Sequence, residues 1–159
     1  MSKFKKSMQK VVLNKELLLL YWNIGNTILI YQDKEGWGAK IIDNISKEVK
    51  DEFPDLKGFS PRNLKYMRKF AEEYKKSEFV QEALAQIIWY HNITLIEKVK
   101  DKDKRIWYVN KIMENGWSRN TLVHQIESNL FERQNNEIKT TTPNNKLAVD
   151  ALKDPYMLL

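Results

Sequence analysis

The segment Gly58-Phe59-Ser60-Pro61-Arg62-Asn63-Leu64-Lys65-Tyr66-Met67-Arg68-Lys69-Phe70-Ala71-Glu72-Glu73-Tyr74-Lys75-Lys76 reads as one helix whose start is marked. A serine just before a helix accepts hydrogen bonds from its first turn, and proline at the first helical position loses no bond it needs. Ser60 and Pro61 stand at those two places. At about 100° per residue, Leu64, Met67, Phe70, Ala71 and Tyr74 gather within about a third of a turn and form a core face. Arg62, Lys65, Lys69 and Lys76 fall opposite, with Arg68 and Lys75 at the flank. Lys57–Lys76 holds seven basic and two acidic residues, a net of +5, against +6 for the whole chain. The basic excess is therefore concentrated on one helix and its entry turn.

A helix with this distribution suits the major groove of duplex DNA, its N-terminal residues nearest the base edges. Arg62 and Asn63 stand at that end, although Asn63 lies nearer the apolar side of the wheel. Lys65 and Lys69 are placed to meet phosphates as point charges. The expected nucleic-acid contacts are Arg62, Asn63, Lys65, Arg68, Lys69 and Lys76. Arg119 joins them from a second turn of the same composition, Gly116-Trp117-Ser118-Arg119-Asn120. The same basic stripe also suits an ordinary solvated face or a protein-binding face.

Working outward, residues 39–52 form a preceding helix with Ile41, Ile45 and Val49 on one side. It would be the supporting helix of a helix-turn-helix, although the connector Glu52–Ser60 is longer than that motif's usual turn. Residues 3–34 form a long helix, apolar on nearly every side around Leu17–Trp22 and so buried in its middle. Gly36-Trp37-Gly38 breaks the chain after it. Downstream, helices are predicted over 78–97 and 103–115, the latter stopped by Asn115-Gly116. Between them, the charged run Lys98–Arg105 reads as a wet connector. Ser118 caps a last helix to about Gln134, with Leu122, Val123, Ile126 and Leu130 inward. No segment alternates in a sustained two-residue period, and a short wing hairpin stays open. The expected fold is mainly α: a multi-helix domain with a helix-turn-helix core, winged or not, and a long N-terminal helix. It would occupy residues 1–134. Residues 135–146 form a polar linker, and 147–159, ending on apolar residues, would begin a second, C-terminal domain.

The 159 residues suit one such domain. A net charge of +6 favours a polyanionic partner. Cysteine is absent and only His91 and His124 are present, so no thiolate or histidine-rich metal site is available. The apolar run Leu17–Trp22 is too short to span a membrane, and no cleavage signal follows it. A cytoplasmic protein with no cofactor is expected. Acid-x-Lys triplets such as Glu48-Val49-Lys50 and Asp55-Leu56-Lys57 are like pieces of a PD-(D/E)xK nuclease site. They fall on helices or loops, however, and that site sits on a sheet. No nucleophile-base set or phosphate-cradling glycine loop occurs. His91, beside Trp89 and Tyr90, reads as a hydrogen-bonded core histidine. The chain is not expected to be an enzyme.

Several short motifs, in order along the chain, carry a family resemblance. They are Tyr21-Trp22-Asn23-Ile24-Gly25, Trp37-Gly38, Phe53-Pro54, the run from Gly58 to Phe70, Trp89-x-His91 and Trp107-Tyr108. Glu114-Asn115-Gly116-Trp117-Ser118, Gln125-Ile126 and Glu132-Arg133-Gln134 follow. Together they resemble the N-terminal domain of the YhcG family. Leu152-Lys153-Asp154-Pro155-Tyr156 resembles the junction where that family's second domain begins. The resemblance implies a bacterial protein with a PD-(D/E)xK nuclease domain after residue 159, linked to restriction or phage defence. It also implies a DNA-binding role for the N-terminal domain and places no catalytic residue in this chain. The alternative expectation is a protein-interaction or homodimerisation module built on the long N-terminal helix or the Trp-rich segments.

Overall fold

The computed structural model describes residues 2–35, 38–75 and 86–140, and every regular element among them is helical. The elements are α1 (Lys3–Glu35), α2 (Gly38–Glu52), α3 (Pro61–Glu73), α4 (Trp89–Lys98), α5 (Lys102–Asn115), α6 (Arg119–Glu127) and α7 (Leu130–Thr140). The protein is mainly α, as its periodicities require. Lys76, the Gly36-Trp37 part of the first turn, residues 78–85 of the helix predicted over 78–97, and 141–159 lie outside the described residues.

The helix ends follow local chemistry. Ser60 Oγ accepts the Asn63 N–H at 3.2 Å, Asp101 Oδ1 that of Lys104 at 3.0 Å, and Ser118 Oγ that of Thr121 at 3.2 Å. Gly116, with φ of 63°, closes α5 in the left-handed region that glycine enters without strain.

One cluster of buried side chains joins the helices: Leu18, Tyr21 and Ile28 of α1, Ile42 of α2, Leu64, Met67 and Phe70 of α3, Trp89, Ile93, Leu95 and Ile96 of α4, Tyr108, Val109 and Ile112 of α5 and Leu122 of α6. The tightest approach is between α1 and α3. A Cβ on Gly25 would stand 2.0 Å from the Met67 carbonyl oxygen, so only glycine lets these backbones meet. Trp89 of α4 meets Tyr21 of α1 edge-on and Phe70 of α3 at a tilt, with centroids 4.9 and 5.3 Å apart.

Three expectations need correction. Helix α4 begins at Trp89, because Ile88 is extended (ψ 164°) and the Ile87 carbonyl accepts Asn14 Nδ2 of α1 at 3.0 Å. The predicted last helix is two, parted at Ser128-Asn129, where Asn129 takes φ of 57°. Asparagine tolerates that conformation better than most residues. Beyond the break, Tyr108 Oη accepts the Phe131 N–H at 3.3 Å and anchors α7 on α5. Residues 135–140, expected as linker, continue α7.

Candidate nucleic-acid interface

The basic residues of α3 have different surroundings. Arg62 is exposed; its Nη2 donates to Tyr66 Oη at 3.3 Å and its guanidinium lies 5.8 Å from that ring's centroid. Lys65, one turn on, is exposed and forms no ion pair among the described residues. Lys69 pairs with Glu73 at 3.4 Å. Arg68 is half-buried, its Nη1 3.5 Å from Gln32 Oε1 of α1.

Asn63 is a structural residue. Its amide donates to the Gly58 carbonyl at 2.6 Å, and its carbonyl accepts Trp89 Nε1 at 2.8 Å. It thereby locks the entry turn of α3 onto the first turn of α4. Gly58 has φ of 99°, and a Cβ there would stand 2.9 Å from Tyr21 Oη. The Asn side chain therefore has little left to offer a base edge. Its place on the apolar side of the wheel was the available signal.

Arg105, at the end of the run read as a wet connector, is 2% exposed. Its Nε donates to the Val99 carbonyl and its Nη1 to Glu73 Oε2 at 2.9 Å, and its guanidinium lies 5.7 Å from the Tyr74 ring centroid. Burial pushes the Glu73 carboxyl up, but hydrogen bonds from Arg105 and Lys69 outweigh it and hold the carboxyl below its ordinary value. Lys98 pairs with Glu127 and Lys104 with Glu132, so further cations of this half are neutralised.

An open cleft of about 540 Å³ lies between the start of α3, the outer side of α4 and the start of α6. Arg62 and Arg119 both line it, with Tyr66, Tyr90, Ile93 and Glu97. The two similar Gly-aromatic-Ser turns thus converge on one place. Tyr90 is 63% exposed, and Tyr66 Oη donates to Glu97 Oε1 at 2.5 Å. Sequence reasoning missed Tyr66, Tyr90 and Glu97. The spacing of Tyr90, Ile93 and Glu97 on one helical side was the usable hint.

The family described as the DUF1016 N-terminal domain matches residues 1–133. The chain belongs to this family. The match bears out the resemblance to the YhcG N-terminal domain. No similar curated protein and no similar solved structure was found. Within this DUF1016 N-terminal domain, the described residues contain no cluster of His, Asp or Glu able to hold a metal ion. None of their helices is long and apolar enough to cross a membrane.

His91 is buried against the backbone of Trp117 and Ser118, without closing a full hydrogen bond. Burial, the largest influence, pushes its pKa below the ordinary value of 6.5. It is a neutral core residue behind the cleft, although the hydrogen bond expected of it is not closed.

Proposed function

We propose that this domain is a non-catalytic nucleic-acid-binding module of the cytoplasm that positions a C-terminal PD-(D/E)xK nuclease domain on double-stranded DNA. In this reading α2 and α3 act as the helix-turn-helix, and α3 enters the groove by its N-terminal end. One observation carries it. Arg62 and Lys65 of α3 and Arg119 of α6 remain exposed, while Lys69, Lys98, Lys104 and Arg105 are bound to carboxylates. Counterion release makes such contacts salt-dependent, with a slope of about 0.9 per phosphate met. Tethering then raises the local concentration of the nuclease at its substrate.

The test is fluorescence anisotropy of labelled duplex DNA at several salt concentrations. The double variant R62E/K65E should weaken binding and flatten the log–log salt slope by about two. Unchanged affinity and slope would remove α3 from the interface.

A second reading, self-association, has its own observation. Leu13, Leu17, Leu20, Thr27 and Tyr31 lie exposed along α1 at the steps of an alternating four- and three-residue repeat whose remaining position, Ile24, packs against the core, and Leu13 and Leu20 are 64% and 47% exposed. That alternation is the seam of a two-helix coiled coil. Sedimentation equilibrium tests it. A monomer over a wide concentration range would eliminate the homodimer.

A further inference from the structure

The cleft between the starts of α3 and α6 holds two kinds of chemistry side by side. At one side are the guanidinium groups of Arg62 and Arg119, neither paired with a carboxylate within 4.0 Å among the described residues. The other lining combines an exposed aromatic ring, Tyr90, an apolar side chain, Ile93, and a carboxylate, Glu97. A bare phosphate would be repelled by Glu97, and a flat duplex surface would leave Tyr90 without use. A nucleotide whose base has left the stack satisfies all of these groups. Aromatic side chains stack on unpaired bases regardless of sequence, and arginines hold the flanking phosphates. A carboxylate accepts from an exocyclic amino group such as N4 of cytosine. The volume of about 540 Å³ falls within the range of small-molecule pockets, about 300–1,000 Å³.

We propose that this cleft receives one unpaired nucleotide, so that the domain prefers DNA carrying a single-stranded end or gap beside a duplex. Tyr90 stacks on the base, Glu97 accepts its amino group, and Arg62 and Arg119 bind the adjoining phosphates. This deepens, and rests on, the reading of the domain as a nucleic-acid binder.

The experiment compares three labelled duplexes by anisotropy at one salt concentration: blunt, with a four-nucleotide dC overhang and with a four-nucleotide dT overhang. Stacking of one base is worth about 1–3 kcal/mol, so the dC-overhang duplex should bind about tenfold more tightly than the blunt one. Y90A should remove that advantage, while Y90F should keep it. Thymine has no amino group, so dT should bind more weakly than dC, and E97Q should narrow the gap. Equal binding of all three duplexes, insensitive to Y90A, would overturn the cleft assignment and leave duplex binding standing. Failure to bind any of them would overturn both.

Discussion

Replacing Gly25 with alanine tests the helix packing that places the proposed interface. In isolation the change should help, because alanine is favoured over glycine inside a helix by about 1 kcal/mol. Here the new methyl would lie 2.0 Å from the Met67 carbonyl oxygen and 2.5 Å from its carbon, well inside the 3.4 Å at which ordinary contact begins. Both partners are main chain, so no rotamer change relieves the overlap, and α1 and α3 must part by about an ångström. A gap of that size forfeits a quarter to a half of each dispersion contact, at the seam where Leu18, Tyr21 and Ile28 meet Leu64, Met67 and Phe70. Overpacking of this kind costs about 1–3 kcal/mol, and a clash with backbone belongs at the upper end. After the propensity gain, G25A should lose about 2 kcal/mol, which lowers Tm by about 4–8 °C at this chain length. Urea and thermal denaturation followed by circular dichroism measure both. A variant as stable as the parent, or more so, would refute the close approach, since propensity and contact predict opposite signs. M67A should not rescue G25A, because the clash is with the main chain.

Three other outcomes follow from the same geometry. N63A removes the bonds to Gly58 and Trp89, so urea melts should show a loss of about 2 kcal/mol. R105M leaves Glu73 with Lys69 alone and strips the Val99 carbonyl of its donor; the loss should be about 3 kcal/mol, since Glu73 is partly exposed. Glu73 and Glu132 have folded pKa values below 4.5, Glu132 chiefly through its bond from Lys104. The unfolded chain therefore binds more protons in acid, and the stability these groups give is present above about pH 4.5 and lost as pH falls through their folded values; R105M should flatten that acid limb in a pH series of melts. His91, held below 6.5, gives stability above about pH 6.5 that declines on acidification, and H91F should abolish the slope between pH 7 and 5.

The long α1, the caps at Ser60 and Ser118 and the glycine stop at Gly116 were legible because each rests on neighbours within four residues. What escaped rests on distant partners. The start of α4 is set by Asn14 reaching Ile87 across 73 positions, and no local signal at 86–88 announces it. The turn at Asn129 is one asparagine among several, distinguished only by its placement between α6, which packs on α4, and α7, which docks on α5. Arg62, Lys65 and Lys69 are exposed on α3, on the side where the wheel puts them, but a wheel cannot show that Glu73 holds both Lys69 and Arg105. Arg105, in a run of alternating charges, gave no sign that it would be buried.

That redistribution of charge bears on the proposed binding surface. A net charge of +6 spread evenly would attract polyanions weakly from every side. Pairing Lys98 with Glu127, Lys104 with Glu132 and Arg105 with Glu73 silences cations on α4 and α5. Arg62, Lys65 and Arg119 keep theirs, at the two turns of like composition. Asn63 and Gly58 hold the first turn against Trp89, and Ser118 caps the second beside His91. The turns are thus built from core contacts inward and open cations outward. In the proposed role, a rigid frame of this kind would limit the entropy lost when the arginines engage a strand. It follows that loosening the frame, as N63A would, should lower stability first, whereas R62E should lower binding with the fold intact.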